Sequence, residues 1–327
     1  MECSFGSENG SASEESLAYK VMRTVWVPWQ RERRLVREQE RVLATRRSAW
    51  LGAGFKHAMA MRPDGGVACW GSDEFGQTPP DGVDGDFVAT TAGSFHSMAL
   101  RRNGNVVCWG WNYEGQAPPD GVEGDFVAIA AGVAHSLALR RNGSVACWGR
   151  NYEGQAPPDG VEGDFSAIAA GDRQHSLALR RNGSVACWGR NYEGQAPPDG
   201  VEGDFVAIAA GFAHSLALRR NGSVACWGHN DEGQAPPDGV PGVFIAVAAG
   251  GEHSLALRRD GSIACWGCNQ FDQAPPGGMD GDFIAIGAGV YFSMALRRDG
   301  SIACWGRNDD GQAPPAGMRG PFKTQEL

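Results

Sequence analysis

The residues able to do chemistry in this 327-residue chain recur along it instead of converging on one place. Histidine stands at His57, His96, His135, His175, His214 and His253, in steps of 39 or 40 residues, and the last five are each followed by serine. A His–Ser pair suits nucleophilic catalysis only where one copy is singled out and a third group orients the imidazole. Six equivalent copies predict a strand-end hydrogen-bonding device instead. Cys265-Trp266-Gly267-Cys268 has the form C-x-x-C, but Cys265 is the repeat cysteine and no second pair accompanies it, so no zinc site is expected. No glycine-rich phosphate loop is present. The expectation is a chain without catalytic residues, metal or cofactor, hence not an enzyme.

The elements around these histidines explain the spacing. The Cys-Trp-Gly core falls at Cys69, Cys108, Cys147, Cys187, Cys226, Cys265 and Cys304, and His135–Phe165 is identical to His175–Phe205 over 31 residues. A fixed period of this size marks a repeat architecture. Within a unit, Phe205–Gly211 suits a crowded inner strand, and Ser215–Arg219 alternates with period two. Asn221-Gly222 predicts a type I′ hairpin, and Ser223–Trp227 is the return strand. The proline-rich Gly233–Gly239 cannot continue a central strand. Three strands and a long return, seven times, predict an all-β, seven-bladed β-propeller over residues 48–327. A solenoid is the alternative, but it needs polar capping repeats. Phenylalanine opens each inner strand from Phe87 to Phe283, and Phe322 falls on the next step. Both termini should therefore meet at one seam, where Ser48–Gly54 takes the inner position.

Residues 1–47 are expected to form a leader, disordered over 1–18 and a basic helix over Gln30–Arg47, with Trp26-Val27-Pro28-Trp29 between. Residues 1–50 carry a net charge of +2 and residues 51–327 carry −11. Nucleic-acid binding is thereby disfavoured for the propeller and left open for the leader. The seven repeat cysteines sit too far apart, one per blade, for disulfides. They fit a reducing, intracellular setting, cytoplasmic or nuclear. No stretch is long and apolar enough for a membrane span or signal peptide, so no membrane partner is expected.

Alternating strand direction divides the propeller into two faces. The Arg-Arg-Asn-Gly turns and the Asp-Gly-Val-Glu-Gly-Asp returns share one face, where opposite charges nearly cancel. The Gly-x-x-His turns and the residue after Trp-Gly share the other, and there the copies differ. The candidate partner-binding residues are Phe55, Lys56, Phe95, Trp111, Arg150, Asp172, Arg173, Gln174, Arg190, Phe212, His229, Glu252, Tyr291 and Arg307. Aromatic residues and arginine dominate interface energetics. Positions that vary while their surroundings stay constant are what a partner-specific surface would hold.

The unit A-A-G-x-x-H-S-L-A-L-x-x-x-G-x-V-x-x-W-G-x-N-x-x-G-Q resembles the repeat of the regulator of chromosome condensation family. Its short spacing is similar to that of the propeller-type β-lactamase inhibitory proteins. The resemblance implies a seven-bladed propeller that binds proteins, with a partner it does not choose. One family role is guanine-nucleotide exchange on a small GTPase through an inserted wedge; the only length change here is one residue, at Asp172-Arg173-Gln174. A second is ultraviolet-B sensing by a dimer through tryptophans in the turns. The matching positions hold Phe55, Ser94, Val133, Phe212 and Gly251, although Trp111 lies nearby. The ubiquitin ligases with such propellers add a large domain that this chain has no room for. The reading that follows is a non-enzymatic protein-binding scaffold, with exchange factor and photoreceptor-like dimer as alternatives.

Overall fold

A computed structural model describes residues 39–41, 43–44 and 47–325. The described positions between 39 and 48 are helical. The expected disorder of residues 1–18, the Trp26–Trp29 patch and the start of the basic helix lie outside the described residues. Ala44–Leu327 forms one compact unit.

Among the described residues twenty-one strands make seven three-stranded antiparallel sheets. In the first sheet β1 (Leu51–Ala53), β2 (His57–Met61) and β3 (Val67–Gly71) lie in chain order. The pattern repeats up to β19 (Phe283–Ala288), β20 (Phe292–Arg297) and β21 (Ile302–Gly306). The first strand of each sheet touches the first strand of the next, and β19 touches β1. The ring is closed, so the seven-bladed propeller holds and the solenoid does not. A single bridge per blade, such as Val67–Val83, is all that remains of a fourth strand.

Crowding accounts for the composition. Every middle strand is buried along nearly its whole length, so His-Ser-Leu-Ala-Leu has apolar neighbours on both sides. Alanines on the inner strands let seven strands converge on the axis. In blades two to seven a bulge after the opening phenylalanine, as between Phe87 and Ala89, shifts the register, and the ring of Phe87 is fully buried.

The hairpin turns differ from expectation. Gly104, Gly143, Gly183 and Gly222 have φ near +95°, but the preceding asparagines do not have positive φ. The Arg101 N–H donates to the Asn105 carbonyl, which leaves a three-residue loop. This is a type I turn followed by a left-handed glycine, not type I′. Asn103 Oδ1 accepts the Asn105 N–H at 3.0 Å, and this side-chain bond holds the asparagine in the right-handed region.

Blade one is built from both ends of the propeller. Leu51 pairs with Ala60 and Ala53 with Ala58, so the N-terminal segment takes the inner position as expected. It does not take all of it. The Phe322 N–H donates to the Gly300 carbonyl, as Phe87 N–H does to Gly65, and the Lys323 N–H donates to Met61. Phe322 is buried in the blade-one core, 6.2 Å from the Trp70 ring. Phe322 and Lys323 thus supply the start of an inner strand that Trp50–Ala53 completes. Phe322→Ala should lower stability by about 3 kcal/mol, measured by denaturant unfolding. In hydrogen exchange the amides of Ala49–Ala53 should be better protected than those beyond Lys323.

Candidate functional site

The histidines and serines meet across blades, not within them. His57 Nε2 lies 3.0 Å from Ser97 Oγ of the next blade, and the same bond joins His96 to Ser136, His135 to Ser176, His175 to Ser215, His214 to Ser254 and His253 to Ser293. Each serine donates to a glutamine carbonyl of the preceding blade, as Ser97 does to Gln77 and Ser136 to Gln116. The same carbonyl accepts the indole N–H of the next blade's tryptophan: Trp109 to Gln77, Trp148 to Gln116, Trp188 to Gln155. A carbonyl has two lone pairs, and both are used. Because the serine proton is committed to the carbonyl, the serine must accept from histidine, which places a proton on Nε2, and burial keeps the ring neutral. The glutamine side chain holds its own loop by accepting an N–H two residues back, as Gln77 does from Phe75.

At the seam both partners change together. Blade seven holds Phe292 in place of histidine, and blade one holds Ala58 in place of the serine it would meet; both are fully buried. Only the tryptophan arm survives, from Trp70 to the Gln312 carbonyl at 3.0 Å. An apolar pair replaces a polar pair as a unit, which leaves neither partner unsatisfied. The glycine before each histidine is needed for the same packing: a Cβ on Gly93 would run into the His96 ring, and one on Gly289 into the Phe292 ring.

These histidines are poor acid–base groups. Burial pushes His57 and His135 down to about 4, and His96, His175, His214 and His253 to about 3. Burial likewise pushes the repeat thiols, such as Cys108 and Cys187, up to about 12. Cys265 and Cys268 are both free, and no cluster of metal-ligating side chains occurs among the described residues.

The variable positions come together on one face. In each blade the N–H after Trp-Gly donates to the carbonyl of the residue before the strand-opening histidine, or before Phe292 in blade seven: Trp111 to Phe95, Arg190 to Gln174, Cys268 to Glu252, Arg307 to Tyr291. The two variable positions of a blade are therefore one joined pair. Around the axis the turns also bond from blade to blade, Phe55 N–H to Ser94, Asp172 to Gly211, Gly251 to Val290 and Val290 to Gly54.

The face has two regions. Over blades six, seven, one and two a continuous run of rings passes from Phe271 to Tyr291, Phe55, Phe95 and Trp111, with centroids 5.5–6.0 Å apart. Phe75 joins it against Phe95 and Trp111, and Tyr113 stacks on Trp111. Lys56 lies over Phe55 and pairs with Asp310; Arg307 lies over Phe271 and Tyr291 and pairs with Asp309. Over blades three to five the region is charged. Arg150 lies over Tyr152 and 3.7 Å from Glu114, and Arg190 lies over Tyr192. Arg173 lies 4.5 Å from the Phe212 centroid and 3.8 Å from Glu193. Gln174 accepts from Gln155, and His229 bonds Asp231 and Gln234. Asp172 reaches from blade four to Ser94 of blade two at 3.1 Å, and burial pushes its carboxyl up to about 6 against that bond. Glu252 makes no ion pair among the described residues.

All fourteen candidate positions are half-buried and on this face. Sequence reasoning missed Phe75, Phe271 and Tyr113, because their Gly-Gln turns look like punctuation. The signal was there: Phe75 and Phe271 stand where other copies hold Glu114, Glu153, Glu193 and Glu232. On the opposite face the arginines have structural tasks. The first of each pair lies over a strand-opening ring, as Arg101 over Phe87, and the second meets an aspartate in five of the six pairs, as Arg141 meets Asp125 at 3.0 Å; beside Arg259 the aspartate is replaced by Val243.

Fold and face together define a closed propeller of near-identical blades, with a constant polar latch and one variable surface. The chain matches the profile of the regulator of chromosome condensation (RCC1) repeat over residues 51–77, 87–116, 126–155, 165–195, 205–234, 244–273 and 283–312, and it belongs to that family. No curated protein sequence matches it. Among solved structures it is similar to the ectodomain of the receptor kinase CR4 from Physcomitrella patens, at 27% identity and TM-score 0.65, covering 79% of this chain and 72% of that one. It is also similar to the CRINKLY WD40 ectodomain of the Arabidopsis thaliana receptor kinase ACR4, at 24% identity and TM-score 0.65, covering 82% and 98%. Prp20p from Saccharomyces cerevisiae follows at 21% and 0.62, covering 80% and 83%. The last two likenesses concern the fold alone.

The latch predicts acid lability. Each histidine titrates lower in the folded than in the unfolded chain, where its value is about 6.5. Stability is therefore complete above about pH 6.5 and falls as pH drops toward 4, by up to about 1.4 kcal/mol per pH unit for each histidine. Thermal unfolding between pH 7 and 4 should show this steep loss. Copying the seam with His214→Phe and Ser254→Ala should keep the fold and remove one proton from the acid slope. The double variant should be less destabilised than the two single variants summed.

Proposed function

We propose that this chain is a non-enzymatic binding module that takes a protein partner on the variable-turn face. The observation that carries the reading is the run of seven neighbouring rings from Phe271 to Tyr113. They lie where the copies differ, and Phe75 and Tyr113 are exposed. Repeat geometry does not ask for a ring at these positions, since Ser94, Val133 and Gly251 stand where Phe55 does and Glu114, Glu153, Glu193 and Glu232 stand where Phe75 does. Exposed, mutually supported aromatic side chains are typical anchors of protein interfaces. The free repeat cysteines fit a reducing compartment, cytoplasmic or nuclear. No helix among the described residues is long and apolar enough to cross a membrane.

A small GTPase is the second reading. It is favoured by family membership and by the similarity to Prp20p, which binds Gsp1p and histones. Each blade here has only three strands and short turns, and blade four alone is one residue longer, at Asp172-Arg173-Gln174. Affinity capture followed by mass spectrometry should recover partners with the intact protein. Those partners should be lost with the folded variant Phe55→Ala, Trp111→Ala, Arg173→Ala, Phe212→Ala. Retention of the same partners would move the site off this face. In a nucleotide-release assay with small GTPases the expected result is no acceleration, and acceleration would establish the exchange reading.

A further inference from the structure

How charge and rings are divided over the propeller bears on the chemistry of the partner. The variable-face turns carry twelve Asp/Glu against five Lys/Arg, and the rest of residues 51–325 carries eighteen against fifteen. Seven of the ten surplus negative charges thus lie on the face with the rings. Four of the five positive groups there are already paired, Lys56 with Asp310, Arg150 with Glu114, Arg173 with Glu193 and Arg307 with Asp309, and the fifth, Arg190, lies over Tyr192. The surplus carboxylates are not. Glu74, Glu232 and Glu252 form no ion pair among the described residues, and Glu74 stands beside Phe75 in the same turn. Phe75 is 41% exposed and Tyr113 85% exposed at the edge of the run of rings.

We propose that the variable face takes a basic protein segment anchored by an apolar side chain. The anchor seats against Phe75, Phe95 and Trp111, a Lys/Arg side chain beside it meets Glu74, and the surplus negative charge of the face attracts the other cations of the segment. This rests on the protein-binding reading of the face and adds the chemistry of the partner. The complementarity has two parts. An apolar anchor removes exposed ring surface from water, worth roughly 25 cal/mol for each Å². A cation near these turns gains both the unmatched field and the ring faces. The face uses the second combination internally, with Lys56 over Phe55 and Arg307 over Tyr291 beside their acids. An acidic segment would meet like charge.

The test is selection of displayed random peptides on the immobilised full chain. The recovered peptides, labelled with fluorescein, are then titrated by fluorescence anisotropy. Three chains are compared: intact, Phe75→Ala with Trp111→Ala, and Glu74→Lys, all at about 50 and about 300 mM salt. The expected result is peptides with two or more Lys/Arg beside Leu, Phe or Trp. Their Kd should rise about tenfold or more in each variant and should also rise with salt. Acidic or uncharged peptides that are lost with the ring variant would overturn the basic-segment proposal and leave the protein-binding face standing. Basic peptides that bind all three chains equally would overturn both. Failure to recover any binding peptide would overturn the proposal of a short anchored segment. Glu74 is exposed, so the charge variant should fold, and it decides the matter if the ring variant does not.

Discussion

One carbonyl oxygen per blade, that of the glutamine in the Gly-Gln turn, holds the ring together. It accepts from the serine and the tryptophan of the next blade, and the serine accepts from the histidine of its own glutamine's blade. Each such bond contributes only about 1 kcal/mol net, but leaving one buried member without its partner would cost more. The latch is therefore all or nothing at each interface. The seam shows this rule by exception, because Phe292 and Ala58 abandon the polar pair together. The near-identical middle strands, the glycine packed on each histidine ring and the fixed spacing of Trp-Gly to the glutamine turn all follow from keeping this contact in register.

A constant interior frees the turns above it. Each blade joins its Gly-x-x-His turn to the residue after Trp-Gly by one backbone bond, so two positions move as a rigid unit whatever side chains they carry. The scaffold can then place rings on blades six to two and charges on blades three to five without disturbing the latch. The opposite face shows the contrary case. There the arginines cover buried phenylalanines and neutralise aspartates, and the copies hardly differ.

Much of this was legible in the sequence. The period, the strand triplets and the two faces follow from spacing and alternation alone, and the fourteen variable positions do lie on one face. The hairpin type was misjudged, because Asn-Gly also serves a type I turn when the asparagine side chain bonds the N–H two residues on. Phe75, Phe271 and Tyr113 were missed because turn residues give no periodic signal. The histidines were rightly placed at strand ends, but their partners lie about 40 residues away in another blade.

The sequence by itself determined the number of blades, the direction of their strands and which positions vary, because each depends on local period and turn chemistry within one unit. Only the tertiary structure decided how the units meet. It closed the ring through an inner strand shared by Trp50–Ala53 and Phe322-Lys323, and it turned scattered phenylalanines, tyrosines and a tryptophan into one surface. The physical reason is that closure and adjacency depend on residues tens to hundreds of positions apart. A periodic sequence repeats its local instructions without recording which copy lies beside which.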